Sequence, residues 1–136
     1  MQGAILYSDG GSRGNPGNAA IGIVITDVRG NILRELSQYI GIQTNNVAEY
    51  KALSRGLELA LDMGITEITC FLDSELVVKQ ILGEYKVKNE RMIPMYNMVI
   101  PLTKKFKKFN IKHIRREKNK KADALVNEAL DRELIT

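Results

Sequence analysis

Two apolar runs that each end in an aspartate constrain the fold of this chain more than any other feature. Ala4-Ile5-Leu6-Tyr7-Ser8 leads into Asp9, and Glu67-Ile68-Thr69-Cys70-Phe71-Leu72 leads into Asp73. Runs of this length and content, bounded by turn signals, read as buried strands. A long helical pattern lies between them, and a helical crossover makes the two strands parallel neighbours with a right-handed connection. Their C-terminal ends, where α/β sheets place their sites, then lie side by side. A buried strand normally runs into neutral turn chemistry, whereas both of these deliver a carboxylate. Asp9 is expected at the tip of its strand, followed by the glycine-rich, proline-interrupted loop Gly10-Gly11-Ser12-Arg13-Gly14-Asn15-Pro16-Gly17.

The remaining elements follow in order. Residues 19–26 read as a second strand, Arg29-Gly30-Asn31 as a turn and residues 32–40 as a third strand, giving an antiparallel meander. Thr44 or Asn45 caps a helix whose apolar stripe is Ala48, Leu53, Leu57, Ala60 and Leu61, with Gly64 at C′. Glu49 is placed in its first turn, where a carboxylate also serves the helix macrodipole, by about 0.3–1 kcal/mol. Residues 76–82 form a short helix, for which Asp73 is a candidate N-cap. Pro94 suits the first turn of the next helix, which Pro101 is expected to bend or interrupt. Asn110 reads as a turn and residues 111–114 as a fifth strand. Asn119 is a candidate cap for the last helix, which carries Asp123 near its start and fades into a polar tail at 131–136.

One cysteine and one histidine exclude the usual zinc cages, so any metal here is held by oxygen. Four carboxylates, Asp9, Glu49, Asp73 and Asp123, sit at strand ends or helix starts and can share one pocket. Unpaired they would repel, and a hard divalent cation relieves that repulsion. With 136 residues, no repeat and no linker, the chain reads as one domain over 1–136. No apolar run reaches the roughly 18 residues of a membrane span, and Met1-Gln2-Gly3-Ala4 is not the start of a signal peptide. The lone Cys70 points to a reducing, cytoplasmic setting. Net charge is +4, and half of the 20 Lys and Arg fall between Lys104 and Lys121, opposed only by Glu117. That run is either a solvated basic surface or a phosphate-facing stripe.

Taken together, Tyr7-Ser8-Asp9-Gly10-Gly11-Ser12-Arg13-Gly14-Asn15-Pro16-Gly17, Thr44-Asn45-Asn46-Val47-Ala48-Glu49, Leu72-Asp73-Ser74 and Asn119-Lys120-Lys121-Ala122-Asp123-Ala124-Leu125 resemble type 1 ribonuclease H, over residues 4–131. The resemblance implies an α/β fold with a five-stranded mixed sheet, three antiparallel strands then two parallel, and helices on both faces. It implies a monomeric endonuclease that cuts RNA paired to DNA with two Mg²⁺ or Mn²⁺ ions, leaving a 5′-phosphate and a 3′-hydroxyl. By position, Asp9, Glu49, Asp73 and Asp123 match the metal-binding acids. Asn15, Asn45 and Asn46 match hybrid contacts in the minor groove, and Thr44 part of a DNA-phosphate pocket. Glu75 stands where many members contact RNA with a glutamine. Arg115-Arg116-Glu117-Lys118 replaces a loop histidine, so Arg115 or Arg116 is expected to steer phosphate, and His113 reads as structural. Affinity is expected to rest on the 104–121 basic stripe. Two alternatives stay open: a relaxed enzyme that also cuts double-stranded RNA, and a catalytically silent nucleic-acid-binding module.

Overall fold

The structure is a computed structural model that describes residues 3–135. Met1, Gln2 and Thr136, which the readings of the N-terminus and the polar tail include, lie outside the described residues. Five strands, β1 (Gly3–Gly14), β2 (Gly17–Thr26), β3 (Ile32–Gln43), β4 (Glu67–Leu72) and β5 (Lys108–His113), form one sheet in the order β3-β2-β1-β4-β5. The first three strands pair antiparallel, and β1–β4 and β4–β5 pair parallel. This is the mixed sheet expected from the sequence. The helices are α1 (Asn45–Asp62), α2 (Glu75–Ile81), α3 (Ile93–Thr103) and α4 (Lys120–Ile135). No helix of the described residues is long and apolar enough to cross a membrane.

Strand side chains alternate between faces. On the inner face Leu6, Ile21, Ile23, Ile25, Ile68, Cys70 and Leu72 pack with Tyr50, Leu53 and Leu57 of α1 and Val99 of α3. On the outer face α4 lays Val126, Ala129 and Leu130 against Ala20 and Tyr39. The sheet is thus sandwiched, but α4 covers only part of its side.

Asp9 is not at a strand tip. β1 continues to Gly14, pairing with β2 from Ile5↔Thr26 through Asp9↔Gly22 to Gly14↔Gly17. The expected loop shrinks to Asn15-Pro16, because Gly10, Gly11 and Ser12 have ladder partners waiting on β2. Gly10, and Gly22 on β2, serve helix approach instead. A Cβ on Gly10 would lie 2.2 Å from the carbonyl carbon and oxygen of Ala48 and 2.5 Å from the amide nitrogen of Glu49. A Cβ on Gly22, opposite Asp9, would lie 2.1 Å from the Ala122 oxygen. The starts of α1 and α4 therefore rest directly on sheet backbone, one on each face.

Local expectations held in part. Thr44 caps α1, accepting from the Val47 N–H at 3.2 Å, and Gly64 follows the C-cap with φ +79°. With Asn45 as the first helical residue, Glu49 falls in the second turn, beyond the reach of the macrodipole argument. Ser74 rather than Asp73 caps α2, accepting from the Val77 N–H at 3.2 Å. Pro101 sits inside α3 without ending it. So near the C-terminus it removes one helical hydrogen bond, and the helix closes two residues later anyway. Asn110 is a β5 residue, since parallel pairing with Thr69 outweighs its turn preference. The polar segment from Asp131 continues α4, with an i,i+4 pair between Glu128 and Arg132 at 3.3 Å.

Gly22→Ala is expected to cost about 1–3 kcal/mol by forcing α4 off the sheet. Gly11→Ala, whose Cβ would meet its nearest neighbour at 3.6 Å, leaves stability near that of the parent. Urea unfolding of the two variants checks the contrast.

Candidate metal centre

The last β1–β4 pair is Ser8↔Leu72, so Asp9 and Asp73 are the next residues on adjacent parallel strands. Gly10 lets the second turn of α1 come down beside them and brings in Glu49. Carboxylate oxygens of Asp9, Glu49 and Asp73 lie within 4.8 Å of one another. Asp123 is not part of that trio. It lines the same cavity from the first turn of α4, its charge acts on Asp9, and its Oδ1 lies 3.5 Å from Arg116 Nη2.

Asp9 and Glu49 are 6% and 8% exposed. Burial first, and the Asp73 charge next, push the Asp9 carboxyl up to about 7, with Asp123 adding to the rise. Burial also raises Glu49 well above the ordinary carboxyl range, and the charges of Asp9 and Asp73 reinforce it. Glu49 and Asp9 meet in a side-chain hydrogen bond that favours a protonated Glu49 and an ionised Asp9. Without a counter-cation the cluster thus keeps a proton near neutral pH. Glu49 Oε2 is buried with no hydrogen-bond partner. An all-oxygen donor set, an orphaned buried carboxylate oxygen and unrelieved repulsion fit a hard divalent cation.

Asn119 does more than the sequence suggested. Its side chain does not cap α4: it is 1% exposed, and its Nδ2 donates to the Ser8 carbonyl at 3.0 Å and to Asp73 Oδ2 at 3.2 Å. It ties the entrance of α4 to the backbone before Asp9 and to Asp73 at once. Nothing local in Asn119-Lys120-Lys121 distinguishes such a tie from a cap.

The other candidate residues divide. Asn15 Oδ1 accepts from the Asn45 N–H at 3.0 Å, and Asn45 Oδ1 accepts from the Ser12 N–H at 2.8 Å. Their carbonyl ends are spent on joining the β1–β2 hairpin to α1, so each offers an outside partner its NH₂. Asn45 and Asn46 line the acid cavity, while Asn15, Thr44 and Asn46 line a neighbouring one with Asn89 and Arg91. Glu75 lies outside both, paired with Lys79 at 3.1 Å. His113 is an exposed β5 residue, its Nδ1 4.0 Å from Glu75 Oε2, and it does not line the acid cavity. The two arginines separate: Arg116 lines the acid cavity, and Arg115 turns to a cleft with Tyr7 and Phe71. The basic run does not form one stripe beside the acids. Lys107 pairs with Thr66 at the N-terminal end of β4, so Lys104, Lys105, Lys107 and Lys108 sit a strand length away, about 20 Å, from the carboxylates.

A mixed sheet in this order, with helices on both faces and acids just past the last pair of its two adjacent parallel strands, defines the ribonuclease H-like class. Residues 7–129 match the family model described as reverse transcriptase-like. The bifunctional protein Rv2228c of Mycobacterium tuberculosis is 42% identical over 128 residues, 93% of this chain and 35% of its own length. Ribonuclease HI of Halobacterium salinarum is 43% identical over 125 residues, 92% of this chain and 63% of its own. The chain thus spans about a third of the mycobacterial relative and under two-thirds of the halobacterial one. LC11-RNase H1, solved in complex with an RNA/DNA hybrid, superposes with a TM-score of 0.92 at 47% identity, covering 96% of this chain and 99% of that one. The chain belongs to the type 1 ribonuclease H family.

The raised Asp9 carboxyl has a stability consequence. Its ordinary value is 3.8 and its folded value about 7, so between them the folded state holds the extra proton. Stability of the metal-free protein therefore falls as pH rises from about 4 to about 7 and stays lowered above that. Asp9→Asn is expected to raise the metal-free Tm at pH 8 by several degrees and to change it little at pH 4, as read by calorimetry.

Proposed function

We propose that this chain hydrolyses the RNA strand of RNA–DNA hybrids with the help of divalent cations, Mg²⁺ or Mn²⁺. The observation that carries the reading is the convergence of Asp9, Glu49 and Asp73, two of them buried, where the parallel pairing of β1 and β4 ends and α1 comes down beside it. Membership of the family, and the hybrid bound by LC11-RNase H1, support the substrate class.

Asp9, Glu49 and Asp73 would hold the ions, with Asp123 completing the set on the α4 side. Two such dications, when bound, would supply Lewis acidity for an attacking water and positive charge for the leaving oxygen. The chain's own groups do the rest. Asp123 is more open than Asp9 and Glu49, at 31% side-chain exposure, which suits an acceptor for the proton of the attacking water. Arg116 carries a fixed positive charge to the same cavity and suits a phosphate oxygen. The NH₂ groups of Asn15 and Asn45, aimed by their spent carbonyls, suit acceptors in the wide minor groove of an A-like duplex, and Glu49 suits the 2′-hydroxyl beside the scissile phosphate. Thr44, with Asn89 and Arg91 in its cavity, suits a phosphate of the DNA strand. A single cysteine forms no internal disulfide, which supports a reducing setting such as the cytoplasm, and a monomer contains every group named.

The deciding experiment incubates the purified chain with an end-labelled RNA–DNA hybrid, with and without Mg²⁺ or Mn²⁺. Metal-dependent products carrying 5′-phosphate and 3′-hydroxyl ends are expected, and Asp9→Asn reduces them to background while the protein stays folded. Hybrid binding with no metal-stimulated cleavage would instead identify a binding module. Duplex RNA, run in parallel at equal metal, tests the relaxed specificity. At limiting Mg²⁺ the rate is expected to rise with pH through about 7 as Asp9 gives up its proton, and added Mg²⁺ moves that midpoint to lower pH.

A further inference from the structure

The outer face of the sheet that α4 leaves open is assembled from alternate residues of four strands. Register sets Val24 of β2, Tyr7 of β1, Phe71 of β4 and Lys112 of β5 in one row, with Thr26, Ile5, Thr69 and Asn110 in the next. The Tyr7 and Phe71 rings are half-buried, 5.4 Å apart between centroids and tilted by 31°. Two clefts, of about 490 and 410 Å³, meet at Tyr7 and Lys118. Val28 and Ile32, 72% and 43% exposed, add uncovered apolar surface at the far side.

The rim is cationic. Arg29, Arg115, Lys118, Lys120 and Lys121 line the clefts, opposed only by Glu117. Among the described residues none of these five makes an ion pair; those in the structure engage Arg13, Lys79, His113, Arg116 and Arg132. The clefts share no lining residue with the acid cavity, from which Asn119 and the 3-10 turn Arg116–Lys118 divide them. Unpartnered cations around a floor of paired aromatic rings suit a ligand with both negative charge and exposed flat faces. A duplex keeps its base faces stacked inside. An acidic peptide meets the charge but offers a flat face only where it carries an aromatic residue. A single strand offers both, phosphates to the rim and bases to the rings.

We propose that this open face is a second nucleic-acid site, which binds a single-stranded segment by stacking bases on Tyr7 and Phe71 between the lysines of the α4 entrance and Arg115. The site is separate from hybrid cleavage and does not depend on it. It gives a use to the part of the basic run that lines these clefts and not the acid cavity.

The test measures fluorescence anisotropy of a labelled 15-nucleotide single strand against the whole chain in EDTA, over a salt series. Phe71→Leu removes the ring and keeps the apolar volume. Lys118→Ala/Lys120→Ala/Lys121→Ala changes only exposed side chains, so folding is not at stake. Each is expected to weaken binding about tenfold or more, and the triple variant to lower the salt slope by about 2, near 0.7 per lost phosphate contact on single strands. Metal-dependent cleavage of a blunt hybrid by Phe71→Leu is expected to stay at the parent rate, which keeps the two sites distinguishable. Single-strand affinity within twofold of the parent in both variants overturns the proposal. So does tighter binding of an acidic, phenylalanine-containing peptide than of the oligonucleotide, which would assign the face to a protein partner.

Discussion

Negative charge held out of water is the constraint to which the rest of this structure answers. Asp9, Glu49 and Asp73 bring their oxygens within 4.8 Å of one another, and two of the three are almost wholly buried. Burial and mutual repulsion raise the acids until the cluster holds back a proton. Such an arrangement opposes folding near neutral pH, and the remainder of the domain has to hold it in place. A buried core on both faces of the sheet does so, together with a few polar ties at the site. A hard divalent cation is the species whose charge and oxygen preference would relieve such a cluster.

Backbone proximity achieves the convergence. Gly10 and Gly22 lie beside and across from Asp9, and each lets a helix start rest on the sheet with no side chain between them. The two helices arrive from opposite faces, so the acids of α1 and α4 reach one cavity although their helices never share a layer. Asn119 then fastens three pieces of chain at one point: the α4 entrance, the Ser8 carbonyl and Asp73. These contacts are short-ranged and stiff. A shared cation would demand that stiffness, because ligand oxygens displaced by an ångström no longer meet on one ion.

The outer face shows the opposite economy. α4 is one helix on a five-stranded sheet, so it covers β2, β3 and part of β1 and leaves β4 and β5 bare. The bare part is neither charged throughout, as a solvated surface would be, nor apolar throughout, as an obligate interface would be. Aromatic and aliphatic side chains form its floor and lysines its rim. That mixture separates it from the acid cavity in chemistry as well as in position.

Much of this was written in the residue order. The strand patterns at Ala4–Ser8 and Glu67–Leu72, the crossover helix between them and the carboxylates that follow were legible, because period and turn chemistry are local. The extent of β1 was not: Gly10-Gly11-Ser12 reads as loop until β2 supplies its hydrogen bonds. Asn119 looked like a cap and Asn110 like a turn for the same reason, since local preference cannot see a partner more than a hundred residues away or a neighbouring strand. The basic run from Lys104 to Lys121 was plain as composition, yet its division between the far end of the sheet, the open face and the acid cavity depends on where β5 enters the sheet. Sequence alone determined which side chains could do chemistry. Only the tertiary structure decided which of them meet, because distance in space is set by strand register and helix approach, and neither is encoded at any single position.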